Sequence, residues 1–237
     1  METHLDALAV ELRHALASEP VRLDRVALAI ARLDDAPVRD ADVLATLDRW
    51  AARVRAEVDA GAGGASALAA VLGGELGLRG DDERYDEPEN SFLPRVLARR
   101  RGLPIVLSLV YLEVARRARV PLIGLALPGH FVVAEPAGDG ALIVLDPFAG
   151  GRVVGAREVE ALVARAGARL RPDLLTAATG HTIATRMLRN LIGSYQRRGR
   201  RHELGAVATL LRALDADDAG ARRVLADLAA ATDDRLN

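Results

Sequence analysis

The chain contains no cysteine. That excludes disulfides, thiolate metal sites and any thiol nucleophile. It also contains no lysine, so all 32 cations on the Lys+Arg count are arginines. Schiff-base chemistry and a phosphate-loop lysine are excluded with it, and the heavy use of Ala, Arg and Gly attributes the missing lysine to coding bias. A long apolar run is missing too. Pro121 to Val133 is the most apolar stretch, but Pro and Gly interrupt it and it is too short to span a bilayer. The N-terminus carries charges throughout and has no signal-peptide core, which leads to the expectation of a cytoplasmic protein without a membrane partner. A net charge of −1 gives no reason to expect nucleic acid. Metal-ligand spacing is absent: His4 and His14 are poorly spaced for one ion, and His181 and His202 stand alone. No cofactor motif is found either.

What is present is a chain of 237 residues, half of them hydrophobic, long enough for a sizeable core. Its texture divides it into three regions, residues 1–77, 78–155 and 156–237. In the first, Leu5, Leu8, Leu12 and Leu16 form one helical stripe, and Val26, Ile30 and Leu33 another. A longer helix is predicted from Asp40 to Ala60, with Leu44, Leu47, Trp50 and Val54 on one face. Gly61-Ala62-Gly63-Gly64 follows a helix rather than a strand, so it reads as a turn and not as a phosphate loop.

The middle region opens on the acidic run Asp81 to Glu89, which lacks the spacing and glycine of an EF-hand and reads as a solvated loop facing Arg99 to Arg101. Asn90 or Ser91 is expected to cap a helix that Gly102 ends. Pro104 sits at the natural first position of the next helix, which carries Leu107, Val110, Tyr111 and Val114. Strand periodicity follows at Leu122–Leu127, Phe131–Ala134 and Ala141–Leu145. In the last region a short helix around Val159, Leu162 and Val163 precedes three helices, near Thr182–Arg198, His202–Leu214 and Ala219–Ala230. The Arg197–Arg201 cluster is read as a solvated loop between two of them.

The segment from Pro128-Gly129-His130 to Asp146-Pro147-Phe148 holds two strands and a turn. A hairpin symmetric about Gly138 sets Val132 opposite Val144, Val133 opposite Ile143 and His130 opposite Asp146. A carboxylate beside an imidazole fixes its tautomer and raises its basicity, which is half of a nucleophile–base–orienter arrangement. The same pair could equally do no more than pin a hairpin.

These residues resemble a known family. The ordered string Gly77-Leu78-Arg79-Gly80, Tyr85-Asp86, Asn90-Ser91-Phe92-Leu93, Val96-Leu97, Arg100-Arg101-Gly102-Leu103-Pro104-Ile105, Ser108, Tyr111 to Ala115, Leu127 to Phe131 and Leu145 to Phe148 resembles the SirB-family core of the transglutaminase-like, papain-like superfamily. Arg186 to Leu191 resembles the tetratricopeptide-like helical tail such proteins carry. The resemblance implies an α+β fold, with a small antiparallel sheet and helices at both ends. It also implies that His130 and Asp146 occupy the positions of base and orienter. The cysteine of active members would fall at or beside Pro104, which offers no nucleophile. Ser108, one turn further along the helix, is a substitute farther from the helix dipole. Two functions stay open: a non-catalytic module that holds a protein or peptide in the old cleft, as is expected where the domain occurs in F-box proteins, and an amide or ester hydrolase using His130 and Asp146.

Overall fold

A computed structural model describes residues 2–34, 37 and 39–233. The first helices follow the apolar stripes: α1 (Glu2–Leu16), α2 (Leu23–Ala31) and α3 (Asp40–Asp59). Leu8 and Leu12 of α1, Val26 and Ile30 of α2, and Leu47, Trp50 and Val54 of α3 are buried together. The glycine cluster then breaks α3, and α4 (Gly64–Leu68) runs straight into a wider π-helical turn, Ala69–Glu75. Gly73 in that turn lies against the Gly150 carbonyl, where a Cβ would sit 1.7 Å from the oxygen, so only glycine fits.

A two-residue strand, β1 (Arg79–Gly80), pairs in parallel with β2 (Arg101–Gly102). Between them lies α5 (Leu93–Arg99). The expected cap is different in detail. Phe92, not Asn90 or Ser91, precedes the helix, and no side chain caps it. Pro94 in the first turn suits a helix start there, because its missing N–H costs nothing at that position. Asn90 and Ser91 are instead buried in the 3₁₀ turn Pro88–Ser91, where Asn90 donates to the Arg84 carbonyl at 2.6 Å. The helix ends at Arg99, with Arg100 left-handed (φ 56), before Gly102 is reached.

The central helix α6 (Pro104–Ala118) starts with its proline in the first turn, as expected. It is buried on nearly every side, packing on α3 and on the sheet. That sheet has the order β3 (Ile123–Leu125), β4 (Val132–Pro136), β5 (Leu142–Asp146) and β6 (Arg152–Val154), all antiparallel. Alternation sorts its two faces. Val133 and Leu145 join Phe131 in the large core with α6. Val132, Ala134, Val144 and Val154 form a second core with Val159 and Val163 of α7 (Ala156–Arg165).

The register differs from a hairpin centred on Gly138. Val133 pairs with Leu145 and Ala134 with Val144, so the symmetry point is Asp139. The tip explains the shift. Gly138–Gly140 forms a 3₁₀ turn with Asp139 (φ 59) and Gly140 (φ 74) both left-handed, closed by Ala137 N–H on the Ala141 carbonyl at 2.8 Å. The partner changes by two residues, so every side chain keeps its face.

Three helices complete the chain: α8 (Gly180–Arg198), α9 (Arg201–Leu214) and α10 (Ala219–Asp233). Met187, Leu188 and Leu191 of α8 and Val207 and Leu211 of α9 belong to the same continuous core as α1, α2 and α6. The two runs read as solvated loops meet each other. Arg197 and Arg198, in the last turn of α8, pair with Asp86 (2.6 Å) and Glu87 (2.7 Å) of the acidic run. Arg99 pairs with the buried Asp81 at 2.6 Å, whereas Arg100 and Arg101 donate to the backbone carbonyls of Leu76 and Gly77. Opposite charges thus pair across adjacent surfaces, while residues 82–86 and 197–201 stay exposed to solvent.

Candidate functional site

The histidine is presented by a turn. Pro128 and Gly129 occupy its two central positions, Gly129 has φ +69, and the His130 N–H donates to the Leu127 carbonyl at 3.2 Å. Proline then glycine is the combination a type II turn requires. The aspartate is presented by a different device. It ends β5, and its Oδ1 accepts from the backbone N–H groups of Phe148 (2.9 Å) and Ala149 (3.3 Å). Pro147 between them favours this turn, with its fixed φ and its lack of an N–H to compete.

The remaining oxygen, Oδ2, lies 3.0 Å from His130 Nε2. Both side chains are largely buried, His130 at 14% exposure and Asp146 at 8%. The pair therefore meets even though the strand register does not set the two residues opposite one another. His130 lies two residues before β4 begins and reaches diagonally to the end of β5. Extending the ladder sets Phe148 opposite His130 instead, and their rings pack edge to face with centroids 6.0 Å apart. A carboxylate only accepts, so Nε2 carries the proton and the Nδ1 lone pair is left without a donor among the described residues. This is the tautomer of a base held ready by an orienting carboxylate.

The walls are aromatic and narrow. Tyr85 packs edge-on to Phe148 at 5.9 Å, and the Phe148 ring covers Gly80, where a Cβ would come within 2.4 Å of it. The Gly80 N–H also donates to the Phe148 carbonyl at 2.8 Å. This couples β1, and through it β2 and the start of α6, to the Asp146 turn. Beneath lies Tyr111 of α6, whose hydroxyl is buried without a partner against Gly73 and Gly151. Burial, and secondarily the charge of Asp146, push that phenol above its ordinary range.

The other expected site residues fall on α6. Pro104 is buried at its first position. Ser108 is fully buried, and its hydroxyl donates to the Phe131 carbonyl at 3.3 Å; it makes no hydrogen bond with His130. Arg186 of α8 is a participant that no local pattern announces, 56 residues from His130. Its Nη1 donates to the Leu127 carbonyl (2.9 Å), its Nη2 to the His130 carbonyl (3.0 Å), and its guanidinium lies 5.4 Å from the centre of the Phe131 ring. It thus bonds both ends of the turn that presents His130. Among the described residues, no cluster of three or more His, Asp or Glu side chains could hold a metal. No helix among them is long and apolar enough to cross a membrane. A cavity of about 700 Å³ between α1, α9 and α10, lined by Leu5, His202 and Leu225 among others, shares no residue with the His130 site.

Comparison with known proteins gives this arrangement a family. A model described as the transglutaminase-like superfamily matches residues 41–189. A UPF0162 protein of Xylella fastidiosa (strain 9a5c) is 38% identical over 204 residues, covering 81% of this chain and 72% of its own. A UPF0162 protein of Pseudomonas aeruginosa is 34% identical, covering 74% of this chain and 66% of its own. The human F-box only protein 21 is 32% identical over 54% of this chain and 21% of its own. The chain thus spans about two thirds to three quarters of these two bacterial relatives. No solved structure matches it.

Proposed function

Since the chain belongs to the transglutaminase-like superfamily, we propose that it is a non-catalytic member which uses the cleft around His130 to hold a peptide or protein segment. One observation carries the reading. A base and orienter stand in bonding geometry, 3.0 Å apart, in a chain without any cysteine to be activated. Pro104 is assigned to the nucleophile's position at the start of α6, and Ser108, engaged with the Phe131 carbonyl, does not replace it. Without a nucleophile there is no covalent intermediate to split acyl transfer into two easier steps. An imidazole, aromatic walls and buried polar groups are what remain, and these suit recognition of an extended chain. The finer assignment to the SirB branch, the tetratricopeptide-like character of α8–α10 and a cytoplasmic setting belong to this proposal. The F-box relative supports it only in that such a domain occurs within a protein of that name.

A second reading has its own support. The unbonded Nδ1 of His130, on a partly exposed ring, could take a proton from water attacking an amide or ester. One experiment separates the two. Peptides selected on the immobilised protein from a displayed library are titrated against the wild type, His130→Ala and Asp146→Asn, and incubated with each while products are followed by mass spectrometry. Binding that weakens at least tenfold in the variants, with peptides recovered intact, is the expected result. Cleavage that disappears in the variants would instead make the protein a hydrolase. Failure to select any peptide would sink the binding reading.

A further inference from the structure

Arg186 is unusual among the arginines of α8. Arg189 is paired with Asp218 at 2.5 Å and Arg197 with Asp86 at 2.6 Å. Arg186 has no carboxylate partner among the described residues. Its two hydrogen bonds go to backbone carbonyls, which satisfy two N–H groups but do not neutralise the charge. Three of its five N–H donors have no acceptor among the described residues. Burial pulls its pKa below the ordinary arginine range, the signature of a cation short of a counter-charge. A partly buried charge without a partner is costly.

Unused polar groups converge beside it. Asn190 lies one turn further along α8, and its amide makes no hydrogen bond with the described residues. The Tyr85 hydroxyl has none either, and its phenol feels the charge of Arg186. Asn190 and Tyr85 line one cavity of about 130 Å³ together with Leu103, the residue immediately before Pro104, and with Asp86 and Glu87, whose charges Arg197 and Arg198 balance; Arg186 lies outside that lining, one helical turn from Asn190. Tyr85 also connects this cavity to Phe148 and His130 through its edge-on ring contact.

We propose that Arg186, Asn190 and Tyr85 form a carboxylate receptor next to His130, so that the segment held in the cleft carries an acidic side chain or a free C-terminus there. The guanidinium supplies the fork that matches a carboxylate, and one cation balances one anion. The amide N–H of Asn190 and the phenol O–H of Tyr85 donate to its oxygens. Arg186 and Asn190 come from α8 and Tyr85 from the acidic run, so the receptor sits where those segments face each other. This deepens the proposal above and rests on the cleft being a peptide site.

The test uses three probes on the full chain: acetyl-Ala-Ala with a free carboxylate, the same dipeptide as its amide, and acetyl-Ala-Asp-Ala amide. Their binding is read from the NMR shifts of the His130 and Tyr85 rings, assigned with His130→Ala and Tyr85→Phe. Both carboxylate probes, or whichever one matches the natural source, are expected to bind at least tenfold more tightly than the neutral amide. Arg186→Gln should remove that preference. Because Arg186→Gln also frees the His130 turn, Asn190→Leu, which touches no part of the turn, is the second variant. It should reduce carboxylate binding several-fold and narrow the preference over the neutral amide, with the His130 ring shifts of the unliganded protein unchanged. Equal binding of charged and neutral probes would overturn the receptor and leave the peptide-binding reading standing. No binding by any probe would also overturn it, while peptide selection decides the wider reading separately.

Discussion

Single residues set the geometry around His130 through atoms they lack. Gly80 is covered by the Phe148 ring, with room for no Cβ. Gly80→Ala should force Phe148 aside and cost about 1–3 kcal/mol, the usual toll of overpacking, measured as a lower midpoint in denaturant. The same substitution should broaden or shift the His130 ring signals, because Phe148 packs against that ring. Pro104 lends itself to a complementary test, since a cysteine placed there would be the only thiol. Pro104→Cys should alkylate as a thiol with a pKa well below the free value of about 8.5, and that pKa should rise when His130 is also changed to Ala. A thiol that behaves as free or inert would remove Pro104 from the nucleophile's position. Further from the site, Asp24 is fully buried and bonded by Arg22 (2.9 Å) and Arg117. Burial alone would raise its pKa, but the two guanidiniums outweigh it and hold the carboxyl below its ordinary range. A depressed carboxyl stabilises the fold above its unfolded pKa of about 3.9 and stops doing so as pH falls through the folded value. Asp24→Asn should therefore lower stability near neutrality and flatten its fall below about pH 4, seen in denaturation midpoints taken across that range. Asp24→Ala, which takes away one of three carboxylates around Arg117 and leaves it Glu113 and Asp48, should cost about 1–3 kcal/mol.

At the scale of elements, periodicity carried a long way. Each α-helix described in the last third is foreshadowed by its apolar spacing, though the 3₁₀ turn Pro172–Leu175 is not, and α8 begins only two residues earlier than the pattern suggests, at Gly180, where Thr179 accepts the Thr182 N–H at 3.1 Å. Pro104 marks the start of α6 by its own chemistry. What spacing could not carry was backbone conformation. The hairpin tip depends on Asp139 adopting a left-handed φ that few residues favour, and that single choice moves the symmetry point from Gly138 to Asp139. The strand β6 was hidden because it is three residues long and follows two left-handed glycines, Gly150 and Gly151. The His130–Asp146 pair was expected from a strand register that proves two residues off; the two turns, not the register, bring the side chains to 3.0 Å. Arg186 resembled part of a helical tail, but its contact with the His130 turn is a tertiary fact without local signature. The second core shows how one helix finishes the sheet. Val163 of α7 is fully buried in one cluster with Val132 and Val154, so Val163→Ala should cost about 1–3 kcal/mol, measured by denaturant unfolding.

For the molecule as a whole, the cleft lies between parts of the chain that are distant in sequence. The acidic run, the hairpin and α8 meet there, and α8 also buries Met187, Leu188 and Leu191 in the core shared with the N-terminal helices. A chain ending before Gly180 should therefore fail to fold cooperatively, tested by whether it shows a single sharp unfolding transition. The tie between Arg186 and the carbonyls of Leu127 and His130 has a consequence for biogenesis. A ribosome making this protein passes the histidine 56 residues before the arginine that fastens its turn. At about 5–20 residues per second the loop waits several seconds unfastened. The cleft is thus completed well after its histidine is made, and a nascent chain shorter than α8 lacks the fastening that holds the His130 turn.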